Sequence, residues 1–275
     1  MPPTSPHAGQ PAGASSAFEP LGGNLYRATA LTRGPWDPAH QHAGPPIALV
    51  AREIERAALP EFTHIARMTA NLLRPIPIGE LSVEVQPGYA GRNLAHFSAV
   101  LRAGGKDIAS FTAVAQRETP FALPDGLPGH PLPQAPRTVD ESGEARFPFS
   151  VKEVGYADLI DSRLAQGKFF RAPSAVWFRL RHPLVAGEEP TPIQRVAVAA
   201  DSGNGISAVL GFDRYTFLNS DLTINLLRRP QGEWICIDAQ TLLGPQGGGV
   251  AEARIFDASG LVGRSTQSLL VRERA

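Results

Sequence analysis

At 275 residues the chain has room for one large domain or two small ones, and 43% apolar residues allow a sizeable core without disulfides or metals. Its 26 basic and 26 acidic side chains cancel, which leaves no electrostatic footprint for nucleic acid or an anionic membrane surface. No stretch approaches the roughly 18 apolar residues of a membrane span. The single cysteine, Cys236, lies in the strand-like run Trp234-Ile235-Cys236-Ile237 and reads as a small core residue with no internal disulfide partner. The seven histidines lack metal-ligand spacing, so neither a metal nor another cofactor is expected.

Taken in chain order, residues 1–16 are rich in Pro, Ala, Gly and Ser, with no charged segment leading into an apolar one. They read as a disordered tail rather than a secretion signal, which implies a cytoplasmic protein. A short strand near residues 25–32 leads to a helix opened by Pro45 and Pro46, where the first helical amides lack partners anyway. Ile47, Val50 and Ile54 keep helical spacing, while Ala48, Leu49 and Ala51 make the first turns apolar nearly all round, so the helix should be enclosed by protein. Alternating runs follow at Leu81-Ser82-Val83-Glu84-Val85 and His96-Phe97-Ser98-Ala99-Val100-Leu101, with a hairpin turn at Gly104-Gly105. Residues 119–149 hold Pro120, Pro124, Pro128, Pro131, Pro133 and Pro136 and read as a linker with neither strand nor helix. Beyond it come a lead-in strand near residues 175–181, a second Pro-opened helix, and strands at Ile235-Cys236-Ile237, 251–256 and 266–271. Ala258-Ser259-Gly260 reads as the turn before the last strand. Gly244, Gly247, Gly248 and Gly249, which lack the strand-to-helix context of a dinucleotide loop, read as another hairpin.

The chain repeats itself. Met68-Thr69-Ala70-Asn71-Leu72-Leu73-Arg74 returns as Leu222-Thr223-Ile224-Asn225-Leu226-Leu227-Arg228, five identities in seven at an offset of 154. Gly105, Ser110, Arg117 and Glu118 return at an offset of 155 as Gly260, Ser265, Arg272 and Glu273. Pro46-Ile47 with Val50-Ala51 matches Pro192-Ile193 with Val196-Ala197. Three echoes in one order predict a tandem duplication, residues 17–118 and 150–275, each a strand, one buried helix and an antiparallel meander that wraps it.

Several segments carry a family resemblance: Gly34-Pro35-Trp36, His42-Ala43-Gly44-Pro45-Pro46, Asp201-Ser202-Gly203-Asn204-Gly205, Asn219-Ser220-Asp221-Leu222-Thr223, Gly232-Glu233-Trp234 and Gly263-Arg264-Ser265-Thr266-Gln267. In their order and spacing, from about Phe18 to Arg274, the chain resembles the thioesterase-like branch of the acyl-CoA thioesterase II superfamily. The resemblance implies an α+β double-hotdog fold, an acyl-CoA substrate and a homodimer. It also implies three site positions that hold a water for attack on the thioester carbonyl: an aspartate on the second central helix, a hydroxyl residue on the next strand and a glutamine on the last. Here these fall on Asp201, on Asn219 with Ser220 and Thr223 as neighbours, and on Gln267. The amide of Asn219 departs from the family hydroxyl, although an amide also orients water.

Hydrolysis of a thioester needs a held water, a group that takes its proton and donors for the oxyanion. Asp201 closes the apolar run Val196-Ala197-Val198-Ala199-Ala200, and Gly203 and Gly205 should stop the helix there. An acid at a helix C-terminus opposes the macrodipole, so its pKa should rise, as suits a general base. At the start of the first helix Pro45 and Pro46 have no amide hydrogen, which leaves Ala43 or Gly44 to donate to an oxyanion. His42 reads equally as a substrate contact or a loop residue. In the first unit Glu55 and Thr112 occupy the places of Asp201 and Gln267, which predicts one site per chain. A hydratase would need Asp and His close together on one segment, and no histidine follows Asp201. A binding module without catalysis is the other alternative, separated from an enzyme by thiol release from a panel of acyl-CoAs.

Overall fold

A computed structural model describes residues 15–145 and 153–274; most of the expected N-terminal tail and the end of the expected linker lie outside the described residues. In the first half come β1 (Phe18–Gly22), β2 (Leu25–Ala28), α1 (Gly44–Ala57), β3 (His64–Leu72), β4 (Glu80–Ala90), β5 (Leu94–Ala103) and β6 (Lys106–Gln116). The second half holds β7 (Gly143–Glu144), α2 (Tyr156–Leu159), β8 (Ile160–Lys168), β9 (Arg171–Leu180), α3 (Pro192–Ala200), α4 (Gly203–Ile206), β10 (Tyr215–Asn219), β11 (Asp221–Leu226), β12 (Ile235–Leu243), β13 (Gly248–Asp257) and β14 (Gly260–Glu273).

All strands join one antiparallel sheet in the order β1-β2-β4-β5-β6-β3-β11-β14-β13-β12-β9-β8-β7, with β10 paired to β14. From β3 and β11 outward the order reads the same in both directions, so the two halves meet strand to strand. At that seam Asp221, Thr223 and Asn225 pair with Asn71, Thr69 and Arg67. A sheet alternates its faces with a period of two. Accordingly Met68, Ala70, Leu222 and Ile224 are buried on the inner face. Ser98, Thr112, Thr69, Thr223, Thr266 and Glu252 form a registered polar row on the outer one.

The inner face covers two helices. In α1 every residue from Gly44 to Arg52 is buried, as is Ile54; each buried Ile, Leu or Val contributes about 1.5–3 kcal/mol. The one charge among them, Arg52, is answered by Glu188 and Glu53 and by the Tyr26 hydroxyl at 2.7 Å, as a buried guanidinium requires. Near the end of α1, Glu55 accepts from Thr191 (2.7 Å) and Gln194 (3.1 Å) at the start of α3, while Gly44 at the start of α1 lies against Val198 near the end of α3. The two helices therefore run antiparallel.

Four expectations are corrected. The lead-in strand ends at Ala28, because Thr29 turns the chain into a 3₁₀ segment (Ala30–Thr32) and accepts from the Leu31 amide with its hydroxyl. The linker contains a strand, since β7 pairs with β8. Gly203 and Gly205 do not end helical structure; α3 stops at Ala200, but α4 follows at once, and Gly203 instead leaves room for Gln267, whose Oε1 would lie 3.3 Å from an added Cβ. Finally, ladder register sets Thr69 on Thr112 and Thr223 on Thr266, so the counterpart of Gln267 is the buried Ala113, not Thr112.

Candidate active site

Asp201 follows the last residue of α3 with helical backbone angles, and its side chain is 4% exposed. Three other elements aim polar groups at it. From the turn before α1, His42 brings Nδ1 to 2.9 Å of Oδ2. At the end of β10, Asn219 donates to Oδ1 at 2.8 Å. On the inner face of β14, Gln267 sets Nε2 3.3 Å from the Asp201 carbonyl and 3.4 Å from Oδ1, while its Oε1 accepts from the Asn204 amide at 2.9 Å. Gly44 adds a hydrogen bond from its amide.

The close approach of Gly44 is a requirement of shape. A Cβ there would stand 2.7 Å from the Val198 carbonyl oxygen, so only glycine lets the start of α1 reach the end of α3. Pro45 and Pro46 offer no amide hydrogen. Among the described residues the Ala43 amide donates to no protein group, which leaves it for a ligand oxygen.

A carboxylate only accepts, so His42 donates from Nδ1 to Asp201 and cannot receive the Gly44 amide at the same atom. The imidazole lies flat on Tyr156, with ring centroids 3.7 Å apart and planes 5° from parallel. Tyr156 is fixed in turn by bonds from its hydroxyl to Val198 O (2.9 Å) and Ser202 Oγ (2.8 Å). Burial pushes the Tyr156 phenol far up, so it stays neutral beside the imidazole.

The expected rise in the Asp201 pKa is not found. Burial does push it up, but the facing charge of His42 and the bonds from His42, Asn219 and Gly44 outweigh burial and hold the carboxyl below its ordinary range. Asp201 ends one helix yet faces the start of the other, and the second helix supplies the amide that the first opposes.

The opposite end of the helix pair shows what this constellation needs. Aligning Pro46 with Pro192 sets Glu55 on Asp201 and Glu188 on His42, and the strand register sets Ile65 on Asn219 and Ala113 on Gln267. Only the carboxyl is retained there, and burial raises its pKa against the bonds from Thr191 and Gln194.

The Asp201 end opens into a cleft of about 710 Å³. One wall is aromatic: Phe212 touches Trp36, Phe170 and Phe217 with centroids 5.7, 5.5 and 4.7 Å away. Phe170 takes a left-handed backbone (φ 60°) in the turn between β8 and β9, an unusual conformation for a bulky residue. Arg33, His40 and Arg74 line another side. Asn204 and Gln41 also line the cleft, and each holds a buried side-chain oxygen with no hydrogen-bond partner among the described residues.

Of the residues singled out in the sequence, Asp201, Gln267, Asn219, His42, Ala43 and Gly44 come together. Thr223 does not. It is an odd-numbered residue of β11 and faces outward, bonded to Thr69 at 3.1 Å. Tyr156, Asn204 and the aromatic wall were not anticipated, although Trp36 and Asn204 lie in the runs that carry the family resemblance. The Asp–His pair sought within one segment exists in space, 159 positions apart, with one partner from each half. Among the described residues no group of three metal-ligating side chains occurs, and no helix is long and apolar enough to cross a membrane.

Comparison with known proteins follows this geometry. An acyl-CoA thioesterase II from Mycobacterium marinum is 19% identical with a TM-score of 0.64, covering 94% of this chain and 96% of its own. A hot dog fold protein from Alicyclobacillus acidocaldarius is 15% identical with a TM-score of 0.70 (95% and 97% covered), and a protein assigned as a thioesterase II from Thermobifida fusca is 16% identical with a TM-score of 0.71 (94% and 96% covered). At these identities the likeness establishes the hotdog fold alone. No curated protein matches the chain in sequence. Residues 32–116 match the acyl-CoA thioesterase N-terminal domain and residues 124–271 the acyl-CoA thioesterase C-terminal domain, and the chain belongs to the acyl-CoA thioesterase family.

Proposed function

We propose that this chain is a double hotdog, one unit in each half with its own central helix, and that it hydrolyses an acyl-CoA thioester to free acid and CoA by direct attack of water. The observation that carries the reading is the convergence of His42, Gly44, Asn219 and Gln267 on one ionised, buried carboxylate beside a cleft. A thioester carbonyl lodged against the Ala43 amide would have its developing oxyanion met by a donor, with the Asp201 network beside it to activate water. Gln267 is buried and spends both ends of its amide on Asp201 and Asn204, so it acts by holding the carboxylate. Asn219 holds the other side. The aromatic wall suits an apolar acyl group, and Arg33 and Arg74 suit the phosphates of CoA. No covalent intermediate is required.

Free thiol release from a panel of acyl-CoAs tests the activity. Thiol release by the wild-type protein, reduced by roughly two to four orders of magnitude in Asp201→Asn, is the expected result. A protein that binds acyl-CoA and releases no thiol from any member is a binding module instead. Pairing of two copies through the outer sheet faces completes the proposal, and a monomer by light scattering at micromolar concentration refutes that part.

A further inference from the structure

Within the hydrolytic reading, we infer that His42 takes the proton from the attacking water through Nε2, and that Asp201 is the residue that positions it. The Asp201 carboxylate has no acceptor left to serve as the base. Oδ2 faces His42, Oδ1 faces Asn219 and Gln267, Gly44 adds its amide, and 4% of the side chain is exposed. His42 is placed the other way. Its Nδ1 is spent on Asp201, its ring is clamped on Tyr156, and it lines the cleft with 14% of its side chain exposed. Among the described residues no protein group bonds Nε2. The tautomer that donates from Nδ1 carries its lone pair on Nε2.

The environment also favours the imidazolium that proton transfer creates. An anionic carboxylate lies 2.9 Å from one nitrogen, and the face of a neutral tyrosine attracts a cation. In the step, a water O–H bond breaks and its proton goes to Nε2 as the oxygen bonds the carbonyl carbon. The carbonyl electron pair moves to oxygen, against the Ala43 amide. The tetrahedral intermediate then expels sulfur, which takes the proton back from Nε2. Asp201 stays ionised throughout.

His42→Asn is the decisive variant, because its amide can still donate to Asp201 as Nδ1 does but has no base to offer. It should lower kcat by about 10²–10⁴-fold, the span of a general base, with KM for acyl-CoA changed by less than about threefold, as expected of a step-specific loss. The kcat/KM–pH profile of wild type should have an ascending limb that His42→Asn loses, as expected when one general base must be bare to act. Asp201 and Tyr156 face the ring directly, while Arg33, His40, Arg74 and Glu153 line the same cleft; His40→Gln should retain the limb. Added imidazole should restore part of the activity of His42→Ala. A His42→Asn enzyme within about threefold of wild type in kcat, with the same pH profile as wild type, overturns the assignment and returns the proton to Asp201. Nitrogen-15 NMR gives a readout independent of turnover. In the neutral ring, Nδ1 protonated and Nε2 bare is expected, and the opposite tautomer overturns the assignment even if no thioester is hydrolysed, an outcome that by itself refutes the proposed function.

Discussion

Thr69 and Thr223 are counterparts in the repeat and also partners in the sheet: their hydroxyl oxygens lie 3.1 Å apart across the central β3–β11 pair. An axis relating the two halves must pass between them. Because both point outward, the pair belongs to the seam and not to the site. Thr223→Ala should cost about 0.5–1.5 kcal/mol, the usual net worth of one hydrogen bond, read as a lower urea midpoint. Its kcat should stay within about twofold of wild type. A large loss of turnover with unchanged stability would restore Thr223 to the chemistry.

Glu55 and Asp201 are the two carboxyls of the antiparallel helix pair, and their surroundings push them in opposite directions. Glu55 is raised, so its folded form binds a proton more readily than the unfolded chain. That penalty is absent below the ordinary value of 4.5 and complete above the raised folded value. Glu55→Gln can still accept from Thr191 and Gln194 without carrying the charge. It should match or exceed wild-type stability at pH 8, with the advantage shrinking as pH falls toward 4.5. Asp201 is depressed, so its contribution to stability is present above about pH 4 and lost as pH falls through the folded value. In denaturant melts the stability of wild type relative to Glu55→Gln should fall as pH rises above 4.5, whereas that of wild type relative to Asp201→Asn should stay constant there and fall only as pH drops below about 4.

These two relationships mark how far the sequence is legible. The echo around Thr69 and Thr223 is written in identical residues, and the apolar opening of α1 announces its enclosure, so the duplication and the helices can be read directly. The face on which Thr223 lies is set by a period of two, and counting from Asp221 would have placed it outward. His42 is different. It meets Asp201 because two antiparallel helices put the start of one beside the end of the other, and no spacing along the chain encodes that meeting. The depression of the Asp201 pKa is illegible along the chain for the same reason, since its partners come from the other half and from strands that follow.

The aromatic wall should decide which acyl groups are accepted. Trp36 packs edge-on against Phe217, centroids 5.3 Å apart, and stacks on Phe212, so Trp36→Ala removes contact area and loosens both neighbours. For a bulky apolar acyl-CoA, kcat/KM should fall by roughly 10–100-fold, in keeping with about 1–3 kcal/mol of apolar discrimination. Acetyl-CoA, too short to reach the wall, should be affected by less than about threefold if it is turned over at all. Equal losses for both substrates would place the acyl chain elsewhere.

Gly44 offers the sharpest test of the geometry, because it joins the two halves at the site. Its amide serves Asp201, its neighbour Ala43 faces the cleft, and its α-carbon lies against the Val198 carbonyl. A methyl group added there would meet that oxygen at 2.7 Å and His42 Nδ1 at 3.2 Å. The oxygen is backbone inside α3 and cannot swing aside, so the start of α1 must back away. Overpacking of this kind costs about 1–3 kcal/mol, and a displacement of even 1 Å costs about 100-fold in rate. Gly44→Ala should therefore lower the thermal midpoint by several degrees, at roughly 2–4 °C per kcal/mol for a domain of this size. At temperatures where the variant is fully folded, kcat should still be reduced about 100-fold. Turnover close to wild type in the folded variant would mean that the approach of α1 to Asp201 is not what the reaction depends on.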